Sequence, residues 1–253
     1  MTIPDNASER YQTDGFLSGL EIFSTMEISE YRRQFDELES LEEKEYCQTG
    51  LTNRHFDSRF IWDLATNPIL LELMQVLMGE DVMLLSTHFF CKYPDDDVKN
   101  FVAWHQDITY WNLVPEKAES AWIAIDDSDM GNGCMQVIQG SHLQGKVSHS
   151  TSTRPGNLLS INQEIPQEEI DLSKVYNLCL KAGQVSIHTG MLFHSSKPNL
   201  SKRRRCGLAV RFISPEVQQI EPHSRGWWKP VLVRGHDYYG NFARSVPPFP
   251  FKF

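Results

Sequence analysis

The hydrophobic pattern of this chain changes period at residue 82, and that change limits the folds open to it. Before it, apolar residues recur at helical spacing; after it, short β-branched and aromatic runs alternate with turn residues. "STME" at 24–27 has the form of a capping box, Ser24 capping and Glu27 closing it. It predicts a helix to about Glu45 that buries Ile28, Tyr31, Phe35 and Leu38. A second helical stretch begins near Arg59 and breaks at Asn67-Pro68, because the residue before a proline disfavours helix. It resumes through Ile69, Leu70, Leu73, Val76 and Leu77 to a cap at Gly79. Strands are predicted at 82–92, 101–107, 120–126, 134–138, 184–188 and 205–213, with turns at "DDSDMGNG" and "QGSH". The polar, weakly patterned segment 143–180 reads as a long loop.

Many short strands following N-terminal helices predict a mainly β fold, a sandwich or jelly roll with the helices packed outside. With no repeat, low-complexity tract or linker, residues 1–253 read as one domain. It comprises a helical flank (1–80), a jelly-roll core (82–213) carrying the insert 143–180, and a C-terminal covering segment (214–253). Apolar content of 40% and charged content of 23% are those of an ordinary globular chain. The formal charge of -9 argues against a nucleic-acid partner, and the isolated "SKRRRC" at 201–206 does not reverse it. Cys47, Cys91, Cys134, Cys179 and Cys206 are widely spaced without a CxxC pair, which fits free thiols in a reducing compartment. The N-terminus lacks signal-peptide character and no apolar run reaches membrane-span length. The expectation is a cytoplasmic protein with a small-molecule partner and no membrane association; oligomeric state is not legible.

The chemistry concentrates in "FVAWHQDITYW" (101–111). His105 and Asp107 stand two apart in a strand-like run, so their side chains would share a face. Three readings compete: a structural hydrogen-bonded pair, a general acid/base pair, and two ligands of a metal site. The acid/base reading lacks a nucleophile, since no GxSxG elbow or catalytic cysteine signature is present. The metal reading, a two-histidine, one-carboxylate triad suited to non-haem Fe(II), demands a second histidine downstream and a cation for an acidic cosubstrate. "SIHTGMLFHSSKPNLSKRRRCGLAVRF" (186–212) offers both, as His194 at the end of a strand-like run and Arg205 at the head of the next. Positions 205, 207, 209 and 211 share one face and read Arg, Gly, Ala, Arg, against Cys206, Leu208, Val210 and Phe212 opposite. Small residues beside an inward arginine leave room for a carboxylate gripped in bidentate fashion.

These pieces have a recognisable order. "YQTDGFL" (11–17), "FFCKYP" (89–94), "WHQD" (104–107), "AWIAIDD" (121–127), "NGCMQVIQGSH" (132–142), "GQVSIHTGMLFHSSKPN" (183–199) and "RCGLAVRF" (205–212) span almost the whole chain. Together they resemble the phytanoyl-CoA dioxygenase family, Fe(II)/2-oxoglutarate oxygenases built on a cupin-like double-stranded β-helix. The resemblance implies His105, Asp107 and His194 as iron ligands. It implies Arg205 on the distal carboxylate of 2-oxoglutarate with Ser196 beside it, and Lys92 and Trp122 as further cosubstrate contacts. Arg203 and Arg204 read as solvated loop. The implied reaction consumes O2 and 2-oxoglutarate, releases succinate and CO2, and hydroxylates an unactivated C–H bond. Related halogenases replace the carboxylate ligand with a small residue; Asp107 is retained here, which favours hydroxylation.

The substrate side is less marked. Tyr110 and Trp111 follow the metal motif and would line the pocket mouth, or serve the core. His188, six before His194, would share its strand face as a substrate contact or a satisfied core histidine. Arg211 is inward by parity, more remote from the metal and without a nearby acid, which makes it a candidate for an anionic substrate group. "WWKPVLVRGHDYYGNF" (227–242), with Arg234, His236 and Asp237, resembles the active-site-covering tail of bacterial small-substrate members. The expected substrate is a small polar or zwitterionic metabolite such as an amino acid, an ectoine-like compound or an aminophosphonate. A natural-product tailoring oxygenase or acyl-CoA hydroxylase of the same chemistry is the alternative, and a non-catalytic metal-binding jelly roll the different one.

Overall fold

Side chains on a strand alternate between faces, and in this chain one face of a large sheet is apolar while the other is not. In the computed structural model, which describes residues 6–94, 99–159, 161–223 and 226–252, the apolar face is covered by helices and the other lines a cavity. The helices are α1 (Ala7–Asp14), α2 (Thr25–Ser40), α3 (Lys44–Thr49), α4 (Arg59–Ala65) and α5 (Pro68–Met78). The strands up to the middle of the chain are β1 (Phe16–Glu21), β2 (Val82–Lys92), β3 (Val102–His105), β4 (Leu113–Val114), β5 (Glu119–Ala124) and β6 (Met135–Ile138). They continue with β7 (Ser150–Thr151), β8 (Gln163–Glu164), β9 (Val175–Leu178), β10 (Gln184–Thr189), β11 (His194–Ser196), β12 (Arg205–Ile213), β13 (Gln218–Gln219) and β14 (Val231–Arg234).

The large sheet has the order β1-β10-β5-β12-β2-β14 and the smaller one β3-β11-β6-β9, every pairing antiparallel. Both line one cavity, the jelly-roll arrangement expected from the strand pattern. On β12 the alternation holds as read: Cys206, Leu208, Val210 and Phe212 join Phe35, Trp62, Leu70 and Phe89 in the main core. Ser24 and Glu27 form the reciprocal capping box of α2. Asn67 caps α5 through Ile69 and Leu70 N–H, with Pro68 at the first helical position, where its missing N–H is not needed.

Several boundaries differ from the sequence expectation. α2 ends at Ser40, leaving Leu41 exposed, and a separate α3 follows. The first eighty residues are not all helix, since β1 adds an edge strand to the large sheet by pairing with β10. The segment 143–180 is not simply a loop: β9 pairs with β6 and extends the small sheet. β3 stops at His105, and Asp107 opens a 3-10 turn (Asp107–Tyr110). His194 begins β11 rather than ending a strand, because Gly190 to Phe193 turn the chain from the large sheet into the small one.

Candidate active site

The end of β3, the 3-10 turn after it and the start of β11 bring His105, Asp107 and His194 together. One ligand atom from each lies within 4.8 Å of the others, and all three residues are buried. His105 and His194 face each other across the paired strands, their ring centroids 4.0 Å apart. Each histidine points Nδ1 at the backbone carbonyl two residues before it, Ala103 at 2.8 Å and Leu192 at 3.0 Å. With Nδ1 of each ring donating in those bonds, it is Nε2 that each ring turns inward, where its neutral form offers a lone pair to a metal. Both Nε2 atoms converge on Asp107 Oδ1, at 3.4 Å and 3.7 Å.

The other oxygen of Asp107 is held from behind. Ser120 Oγ donates to Oδ2 at 3.2 Å, and Arg211 Nε lies 3.6 Å from it. Burial pushes the Asp107 carboxyl up, but Arg211, His105 and His194 outweigh it and hold the group well below the ordinary carboxylate range. Burial, reinforced by His105, holds His194 well below the usual histidine value. Two imidazoles and one carboxylate, ligand atoms facing inward and outer atoms tied down, are a donor set that could hold a divalent transition metal with positions to spare.

At the far end of the cavity stands Arg205, 3% exposed, its guanidinium over the Trp122 ring at 5.4 Å. The small residue between them is required: a Cβ on Gly207 would fall 2.0 Å from Trp122 Cζ2. Ser196 and Trp122 line the cavity, whereas Lys92 lies behind the wall. Its ammonium donates to Ser196 Oγ at 2.6 Å, Ser196 O at 3.2 Å and Lys197 O at 2.5 Å, which uses its three hydrogens. Lys92 therefore acts on the cavity through Ser196, and burial together with Arg205 holds its pKa well below the ordinary value.

The remaining candidates fall on the opposite side. Tyr110 lines the cavity with its buried hydroxyl unpartnered among the described residues, and Trp111 lies under the Arg211 guanidinium at 5.3 Å. His188 does approach His194, ring centroids 4.8 Å apart, but from β10 in the other sheet, so a shared strand is not the reason. Arg211 does have a nearby acid, Asp107, and stands beside the triad rather than remote from it. Arg203 is exposed and bonded to Asp129. Arg204 is not solvated loop: it bridges Asp36 and Glu39 of α2 to Asp126.

Residues 11–207 match the sequence family described as phytanoyl-CoA dioxygenase (PhyH). The chain belongs to the phytanoyl-CoA dioxygenase family. This makes it an oxygenase of the non-haem iron, 2-oxoglutarate-dependent class. The human peroxisomal phytanoyl-CoA dioxygenase is 23% identical over 257 residues, covering 91% of this chain and 75% of that protein. A probable alpha-ketoglutarate-dependent hypophosphite dioxygenase of Stutzerimonas stutzeri is 25% identical over 166 residues, covering 65% of this chain and 57% of that protein. Alignments to Arabidopsis, Dictyostelium and rice members span under half of those proteins' length. Among solved structures, the apo non-heme monooxygenase ThoJ superposes with a TM-score of 0.78 at 26% identity, covering 95% of this chain and 88% of ThoJ.

The family match stops at residue 207, and part of the cavity wall lies beyond it. Arg211, His223 and Trp228 all line the cavity, Trp228 tied down by its indole N–H to Trp111 O at 3.3 Å. In the tail read as a cover, only Trp228 of 227–242 lines the cavity. β14 pairs with β2 instead, and Tyr238 and Tyr239 are exposed. Sequence reasoning passed over His223, Ser86 and Ser120; the two serines were detectable as hydroxyls at inward positions of otherwise apolar strands. It also passed over Gln106, fully buried, whose amide bonds Gly145 O, Met191 O and Val147 N and ties the metal-motif turn to two loops.

Proposed function

We propose that this oxygenase hydroxylates an unactivated C–H bond of a small polar or zwitterionic metabolite, with His105, Asp107 and His194 holding the iron. The observation that carries this is the convergence of two Nε2 atoms and one carboxylate oxygen, all three side chains oriented by bonds from behind. Iron bound there would supply oxygen activation coupled to decarboxylation of 2-oxoglutarate to succinate. The residues of the chain do the rest. Arg205 presents a planar fork to the distal carboxylate of 2-oxoglutarate, and Ser196, accepting from Lys92, is left with its hydroxyl proton to donate alongside. Trp122 stacks on Arg205 and limits its swing, while Tyr110, Trp111, His188 and Arg211 form the substrate side. One domain, 1–253, would carry the whole reaction.

The test is an anaerobic titration of metal-free protein with Fe(II) and then 2-oxoglutarate, alongside Asp107→Ala. A weak visible charge-transfer band appearing only with both, and absent in the variant, is the expected result. Iron binding no tighter than in the variant, with no band, would return His105 and Asp107 to a structural pair. With the band in hand, succinate release in a screen of amino acids and aminophosphonates tests the substrate class.

A further inference from the structure

Register places four polar side chains in one row across the large sheet. His188 on β10 pairs with Ser120 on β5, Ser120 with Arg211 on β12, and Arg211 with Ser86 on β2. All four line the cavity. Ser120 is satisfied by Asp107, yet Ser86 Oγ, both ring nitrogens of His188 and Arg211 Nε have no hydrogen-bond partner among the described residues. Such groups are rare in a folded interior unless something polar is meant to meet them. Arg211 sits six residues from Arg205 on the same face of β12, about 20 Å along the strand, so the row lies at the opposite end of the cavity.

The charges in the cavity wall do not balance. Arg205 and Arg211 are buried cations and Asp107 the buried anion, while Fe(II) and the dianion of 2-oxoglutarate would cancel each other. Lys92, behind Ser196, can only add to the positive excess. Glu119 does not offset it, because it lies in β5 on the face opposite Ser120 and bonds Tyr11. Asp107 does not use up Arg211 either. Ser120 is the closer partner of Oδ2, and the guanidinium makes no hydrogen bond among the described residues. An unbalanced buried charge is costly unless a ligand brings its counterpart.

Resting on the iron and 2-oxoglutarate assignment, we propose that the substrate carries an oxyanion, a carboxylate or a phosphonate, held by Arg211 in the row His188–Ser120–Arg211–Ser86. Trp111 packs against the guanidinium, 5.3 Å from ring to Cζ, and a guanidinium fork held in this way suits a planar or tripodal oxyanion. This end of the wall, Arg211 with His223 and Trp228, lies beyond residue 207, where the family match ends.

The experiment titrates acetate, methylphosphonate and acetamide calorimetrically into protein loaded anaerobically with Fe(II) and 2-oxoglutarate, following visible absorption in parallel. At least one anion is expected to bind and acetamide not; the tighter anion identifies the oxyanion. Arg211→Met should lose roughly 10- to 100-fold in anion affinity with the visible band retained, and Arg211→Lys less. Should the methionine variant fail to fold, Ser86→Ala carries the same comparison with a smaller loss. Absence of anion binding, acetamide binding as tightly, or unchanged anion affinity in the variants would overturn the proposal. So would a band lost together with anion affinity, which would assign Arg211 to Asp107 alone. Arg211-dependent anion binding without any band in the unaltered protein would support the oxyanion row and sink the iron reading instead.

Discussion

Single side chains in this protein are constrained by what stands behind them as much as by what they face. Gly207 shows this most directly. Its neighbours on the inward face of β12 are Arg205 and Ala209, and the space a side chain would need is filled by Trp122, itself 3% exposed. A methyl group there cannot be absorbed by a small shift, because the indole is packed and stacked on Arg205. Gly207→Ala should therefore cost about 1–3 kcal/mol of stability and weaken 2-oxoglutarate binding as Trp122 is pushed off Arg205. Urea midpoints and cosubstrate titration measure the two effects; a variant with unchanged values of both would show that Trp122 does not position Arg205. Gly207 was legible in the sequence as small and inward. That it makes room for an indole and not for a ligand was not, since the neighbour comes from β5, some eighty residues earlier.

At the scale of elements, α1 is attached to the large sheet by a half-buried acid. The Tyr11 hydroxyl of α1 donates to Glu119 at the start of β5, on the helix-covered side. Burial outweighs the bonds from Tyr11 and Thr189 and pushes Glu119 up from 4.5 to about 8. Between those values the folded chain holds a proton that the unfolded chain has released, so stability falls as pH rises through this window. The contribution is fully present below pH 4.5 and lost on passing pH 8. Glu119→Gln keeps an acceptor for Tyr11 without the titration. Its urea midpoint should decline less than that of the unaltered protein from pH 5 to pH 8, and parallel profiles would show that Glu119 titrates normally. Sequence reasoning found the helices that carry their own signals, the Ser24–Glu27 box and Asn67-Pro68. It missed β1 and β9, short strands whose pairing comes from partners distant in sequence.

Taken as a whole molecule, two sheets and a helical layer hold the proposed metal and cosubstrate residues at fixed separations without any one element containing them all. Metal binding to the folded chain alone should then stabilise it by mass action. Fe(II) with 2-oxoglutarate at a hundred times the dissociation constant should add about 2.7 kcal/mol, a rise of roughly 5–10 °C in melting temperature for a chain of this size. A chelator should reverse the shift and Asp107→Ala should lack it; an equal shift in the variant would place the metal elsewhere. No helix among the described residues is long and apolar enough to cross a membrane. The period change at residue 82, the small-residue face of β12 and the order of the motifs determined the class of fold and the family and pointed to the candidate triad, because each single motif is made of residues close in sequence. The tertiary structure alone decided that Asp107 leaves the strand for a turn and that His188 reaches His194 from another sheet. It also decided that Arg211 stands beside Asp107 and that Lys92 acts through Ser196. Those contacts join strands tens of residues apart, and their register, which no local pattern encodes, selects which inward side chains meet.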